Sequence, residues 1–253
     1  MNKYLNFISD EHLLACVASM HLAYIKANKK ASKRNFYTNK VDTFKMTFDA
    51  CFNEMTEEEL IQAEILRQVD KSTNNSIGTF HEQVLGGVKG YEAGKLSGYD
   101  IRAIDNTLFA DIKNKHNTMN SSSAEALFQK LARYADDNKQ AKCYWVQILA
   151  KDSFTELWKG DLNGKEYSHS RVYKISGDQF YALLTGEEDA LYQLYKILPR
   201  VIADYLELVE GKKKEEKNSV LQEIKEDVAK SQRSILDQIT SDNYSYYKGF
   251  DKL

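Results

Sequence analysis

The stretch SGYDIRAIDNTLFADIKNKHNTMNSSS, residues 97 to 123, decides how the rest of the chain is read. Its first half has the period of strands: Tyr99 to Ile104 and Thr107 to Lys115 are short runs separated by Asp105 and Asn106, a pair suited to a tight turn. The pattern predicts a β-hairpin. Side chains along a strand return to the same face every second residue, so Asp111 and Lys113 share a face while Ile112 points into the core. The hairpin brings Asp100, at the beginning of the first strand, back toward Asp111. Two carboxylates and an ammonium then converge on one small volume.

Two carboxylates in one place raise each other's proton affinity unless a cation joins them. A hard divalent ion such as Mg²⁺ takes oxygen ligands, often one or two carboxylates plus water and phosphate oxygens. Such an ion polarises a phosphate and activates a bound water, and Lys113 can orient that water or hold the negative charge gathering on the phosphate. The chemistry expected is phosphodiester hydrolysis.

Asp100, ten residues, then Asp111-Ile112-Lys113 resembles the signature of the PD-(D/E)XK nuclease superfamily, with Tyr99 at the position that gives the motif its proline but carries no ligand. The resemblance implies an α/β (α+β) fold, with a core around a mixed central sheet and helical additions at both ends of the chain. It also implies that Asp100, Asp111 and the backbone carbonyl of Ile112 bind Mg²⁺. Glu82, in FHEQVLGG on the helix before the hairpin, sits where that family supplies a further acidic residue, as a ligand of a first or second metal, a water holder or a structural residue.

Three longer runs, GTFHEQVLGG, FADIKNKHNTMNSSSAEALFQKLARYAD and HSRVYKISGDQFYALLTG, are similar to type II restriction endonucleases that cleave GGNCC sites, over nearly the whole chain. That similarity implies double-stranded DNA as substrate and products ending in 5′-phosphate and 3′-hydroxyl. It implies a homodimer with one active site per strand of a palindromic site. A DNA methyltransferase of the same specificity would complete a restriction-modification system in a bacterial cytoplasm. Two other readings stay open from the residues alone: a repair or structure-selective nuclease with the same catalytic set, and a DNA-binding module without catalysis.

The remaining sequence is helix-rich. Residues 10 to 70 read as mostly helical, with Leu13, Cys16, Val17, Met20, Ala23 and Tyr24, and later Ile61, Ile65 and Val69, at helical spacing. A further helix is expected from Ile77 to Tyr91, with Glu82 off its apolar stripe. Ser121 to Ser123 offer N-caps for a helix through Tyr134. Cys143 to Ala150 and Arg171 to Ile175 read as strands. Helices are expected over Asp178 to Leu184, Ala190 to Leu208 and Lys217 to Ile239, the last following the exposed GKKKEEK connection at 211 to 217. With one proline, Pro199, and no Pro/Gly-rich linker, the chain reads as a single nuclease domain, 1–253: a helical part at 1–75, a catalytic core at 76–180 and a second helical part at 181–253.

Charge and cysteine usage narrow the class. A net charge of -2 is compatible with nucleic-acid binding only through a locally basic cleft. Seven basic residues between Lys26 and Lys45 oppose Asp42 alone, which suits phosphate contact or a solvated helical face. Three widely spaced cysteines, Cys16, Cys51 and Cys143, suit reduced, mostly buried thiols rather than a disulfide framework or zinc cluster. No apolar run reaches the roughly 18 residues of a membrane span.

Base readers are expected among Arg, Lys, Asn and Gln. Lys115, His116, Asn117, Thr118, Asn120 and Ser121 leave the catalytic strand and could touch phosphate or groove, or cap the loop. Gln129, Lys130 and Arg133 follow on the next helix, Gln129 and Arg133 one turn apart. His169, Ser170, Arg171 and Lys174 form a second basic patch, either a guanine reader or an exposed strand edge. The C-terminal DNYSYYKGF could stack on bases or pack.

Overall fold

The computed structural model describes residues 2–30, 33–94, 98–162, 165–209, 224–226, 228–229 and 234–243. The chain divides into two compact units: residues 1–20 with 76–212, and residues 21–75 with 213–253. The helical segments expected at 1–75 and 181–253 are thus each shared between the two.

The first unit is built on a six-stranded sheet in the order β1-β2-β3-β4-β6-β5. Its strands are β1 (Tyr91–Ala93), β2 (Ile101–Ala103), β3 (Leu108–Lys115), β4 (Lys142–Leu149), β5 (Thr155–Leu162) and β6 (Lys165–Ser176). β1, β2 and β3 pair antiparallel, β4 joins β3 and β6 in parallel, and β5 closes the far edge antiparallel to β6. This is the mixed sheet and α+β class expected, and the β2–β3 hairpin turns where predicted. Asn106 takes a left-handed φ of 60°, which Asn tolerates better than most residues, and the Asp105 carboxylate accepts from the Thr107 amide at 3.0 Å.

Parallel neighbours need a crossover, which α5 (Ser121–Asp137) supplies between β3 and β4. Its N-cap is Asn120, whose side chain accepts from the Ser123 amide at 2.9 Å, one residue before the serines expected in that role. Leu127, Phe128, Leu131 and Ala135 bury its inner stripe against Phe109, Cys143, Trp158 and Val172. The other face of the sheet packs Ala110, Ile112, Val146 and Ile175 against α1 (Asp10–Lys30), α4 (Glu57–Gly86), α6 (Gly177–Thr185) and α7 (Ala190–Val209). Alternation does this sorting: Ile112 faces one core while Asp111 and Lys113 face the α5 side.

The second unit contains α2 (Lys33–Thr38), α3 (Thr43–Phe52), α8 (Ile235–Asn243), the C-terminal end of α1 and most of α4. Its core is Phe36, Val41, Met46, Leu60, Ile61, Ile224, Ile235 and Ile239. α4 begins in a capping box, the Thr56 amide donating to Glu59 at 2.8 Å and the Glu59 amide to the Thr56 hydroxyl at 3.4 Å.

Two expectations about elements are corrected. The helix expected from Ile77 is the last part of α4, which ends at Gly86, so Tyr91 begins a strand. Of the helix expected over Lys217 to Ile239, residues 224–226 and 228–229 are helical, 217–223, 227 and 230–233 lie outside the described residues, and α8 starts afresh at Ile235. The GKKKEEK segment and Tyr244 to Phe250 of DNYSYYKGF also lie outside them. The three cysteines are free; burial pushes the Cys16 and Cys143 thiols up to about 11 and about 12, while Cys51 is exposed. Among the described residues, no helix is long and apolar enough to cross a membrane.

Candidate active site

Asp100, Asp111 and Lys113 meet where β2 and β3 pair. Asp100 sits just ahead of β2, and its backbone already belongs to the ladder: its amide donates to the Ala110 carbonyl and its carbonyl accepts from the Gly94 amide, both at 2.9 Å. The approach is tight, since a Cβ on Gly94 would lie 2.3 Å from the Tyr99 carbonyl oxygen. Gly98, at φ 79°, turns the chain into this position in a conformation that favours glycine. The Asp100 carboxylate then reaches across the hairpin and accepts from the Ile112 amide at 2.6 Å. One hydrogen bond therefore ties Asp100 to the Asp111–Ile112 peptide.

Asp111 is buried, its side chain only 6% exposed, and both carboxylate oxygens are engaged by ammonium groups. Lys113 donates to Oδ1 from two residues along the same strand. Lys130 donates to Oδ2 at 2.5 Å from α5. At Asp100, burial and then the charge of Asp111 hold the carboxyl above the usual range, against the Ile112 amide and the charges of Lys113 and Lys130. Glu82, half-buried near the end of α4, is pushed up to about 7, chiefly by burial and then by the charge of Asp100. These three carboxyl groups feel one another.

Among the described residues, no three His, Cys, Asp or Glu side chains are drawn together as a metal centre. The donor set nonetheless fits a hard divalent ion. It offers only oxygen, Mg²⁺ needs just one or two carboxylates, and two of the three carboxyls hold raised proton affinities that a cation would relieve. Asp100, Asp111, the Ile112 carbonyl and Glu82 are the groups that would hold it.

The other residues singled out in the sequence are less unified. Lys115, Asn117, Ser121 and Arg133 are exposed at the end of β3, in the loop after it and on α5. Asn120 is spent on capping, the Thr118 hydroxyl donates to the Lys115 carbonyl at 3.0 Å, and His116 Nδ1 lies 3.3 Å from the Leu149 carbonyl oxygen. Gln129 donates to Glu125 at 3.1 Å. Arg171 donates to the Ala135 carbonyl, His169 lies 3.2 Å from Asp136, and Lys174 pairs with Glu156. The second patch is thus engaged in protein contacts, at the end of α5 and along β5.

Lys130, singled out in the sequence only as a candidate DNA contact beside Gln129 and Arg133, is in the site itself, bonded to Asp111. Two features escaped the sequence reading. Gln147, 7% exposed, is the register partner of Lys113 on β4 and so shares its face. His81, beside Glu82, is pinned by Nδ1 at 2.8 Å from the buried Tyr181 hydroxyl, and burial holds its pKa down at about 4.

A family model described as Eco47II restriction endonuclease matches residues 5–207. The type II restriction enzyme Sau96I of Staphylococcus aureus is 40% identical over 252 residues, 96% of either chain. The type II restriction enzyme Eco47II of Escherichia coli is 30% identical over 209 residues, 78% of this chain and 86% of that one.

Proposed function

The chain belongs to the Eco47II restriction endonuclease family and is a type II restriction enzyme; on that premise we propose that it cuts duplex DNA at GGNCC with Mg²⁺, through Asp100, Asp111, Lys113 and Glu82. The observation that carries this reading is the convergence of Asp100, Asp111 and Lys113 on one hairpin, with Asp100 bonded to the Ile112 amide and Lys113 to Asp111.

Bound by these oxygens, Mg²⁺ supplies Lewis-acid polarisation of the scissile phosphate and a lowered pKa for a bound water. Asp111 holds its carboxylate on β3 and Asp100 holds its own just ahead of the adjacent β2, so the reacting phosphate meets a preorganised site. The Lys113 ammonium holds the attacking water or the charge growing on the phosphate oxygens. Water oxygen bonds to phosphorus, the P–O3′ bond breaks, and the departing oxygen takes a proton, leaving 5′-phosphate and 3′-hydroxyl ends. Exposed Lys115, Asn117, Ser121 and Arg133 are the groups best placed to meet DNA without giving up a protein contact.

Unmethylated phage DNA digested with Mg²⁺ is expected to give discrete fragments whose sequenced ends fall within GGNCC, and EDTA should abolish them. Smears, nicks confined to junctions, or no cleavage with any divalent ion would overturn the reading. A palindromic site presents the same bond on each strand, so the enzyme acts as a homodimer. Light scattering of the protein with a GGNCC duplex in Ca²⁺ should give two chains per duplex; one chain per duplex would reject the dimer. A methyltransferase of the same specificity protects the host genome, and both act in the bacterial cytoplasm.

A further inference from the structure

We infer that Lys130 is a positioning residue of the active site, which fixes the Asp111 carboxylate for metal binding by holding its Oδ2; the inference rests on the nuclease reading above. Asp111 carries one charge but meets two ammonium groups, Lys113 at Oδ1 and Lys130 at Oδ2. Both charges also act on Asp100, but the direct ion pairs are made to Asp111. The two differ in origin. Lys113 sits on the same strand as Asp111, so their bond leaves the carboxylate unanchored to any other element. Lys130 comes from α5, whose Leu127, Phe128, Leu131 and Ala135 are packed into the core around it.

A lysine meant for the DNA backbone would extend to solvent, as the exposed Arg133 three residues on does. Lys130 is instead only 29% exposed and turns inward to a buried oxygen at 2.5 Å. A carboxylate held at one oxygen by a charged donor has its plane fixed and keeps ligand exchange at the other. Partners that orient ligating side chains in this way typically govern metal affinity or activity by about 10–100-fold.

The test is titration of Mn²⁺ into the DNA-free full chain, with free Mn²⁺ read by electron paramagnetic resonance, beside single-turnover cleavage and DNA affinity in EDTA. Wild type, Lys130→Met, Lys130→Arg and Asp111→Asn are compared. Lys130→Met should bind Mn²⁺ about 10–100-fold more weakly and cleave more slowly at limiting metal, with DNA affinity in EDTA unchanged, while Lys130→Arg stays within about 3-fold of wild type. Unchanged or tighter Mn²⁺ binding by Lys130→Met overturns the inference, as does a loss confined to DNA affinity or to melting temperature. If Lys130→Met does not fold, Lys130→Gln, which keeps a neutral donor, should fall between wild type and Asp111→Asn; a wild-type titration curve would reject the role. A wild-type protein that neither binds Mn²⁺ nor cuts DNA defeats the nuclease reading itself, whereas one that does both alongside an unaffected Lys130 variant defeats only this inference.

Discussion

Lys113→Ala is expected to cleave a GGNCC duplex about 10²–10⁴-fold more slowly than wild type in saturating Mg²⁺, with folding and DNA binding retained. The size of the effect follows from a single ammonium placed where water must be oriented or phosphate charge held, in a site whose carboxylates cannot do either task alone. Retention of the fold follows from Lys130. When Lys113 is removed, the buried Asp111 keeps a charged partner at 2.5 Å, so no buried charge is orphaned and the stability change should stay within about 1 kcal/mol. Single-turnover cleavage, a gel shift in Ca²⁺ and thermal unfolding separate these claims. Cleavage within tenfold of wild type would remove Lys113 from the chemistry, and a collapse of the fold would show that Lys130 does not substitute for it.

The β2–β3 hairpin was legible because its signals are local. Alternation fixes the face of Asp111 and Lys113, and Asp105-Asn106 is a turn by its own chemistry. Glu82 needed the family resemblance, and the structure brings its charge into range of Asp100 and Asp111. Other parts depend on contacts that the local pattern does not carry. β1 is three residues long and exists through pairing with β2, and β5, TELWKGDL, mixes charges into an edge strand that only β6 completes. One helical stretch is expected from the sequence to end at residue 70 and another to start at Ile77, yet α4 passes through the polar run between them. There the Ser72 and Thr73 hydroxyls donate back to the Gln68 and Val69 carbonyls, and Asn74 donates to Asp70 at 2.7 Å, so these side chains bond along the helix instead of breaking it. Lys130 lies 19 residues from Asp111, and no periodicity reports that meeting.

The three carboxyls should respond in opposite directions when neutralised, although each loss should slow cleavage by about 10²–10³-fold. Glu82 and Asp100 have folded-state pKa values above their ordinary ones, so the folded chain binds protons more readily than the unfolded chain. Without metal, each stabilises least when ionised: stability falls as pH rises from the ordinary carboxyl range, through about 7 for Glu82, and the full penalty is present at pH 8 in EDTA. Glu82→Gln should therefore raise stability there by about 1–2 kcal/mol after allowance for solvent screening. Asp100→Asn should also stabilise, since its amide oxygen can still accept from the Ile112 amide. Asp111→Asn should do the reverse. Its carboxylate joins two ammonium groups, both partly exposed, and losing that charge should cost about 1–3 kcal/mol. Thermal unfolding in EDTA at pH 5 and pH 8 decides the matter: the gain from Glu82→Gln should shrink at pH 5. Equal destabilisation by all three substitutions at pH 8 would mean that Glu82 and Asp100 are structural groups rather than carboxylates kept under electrostatic strain for a cation.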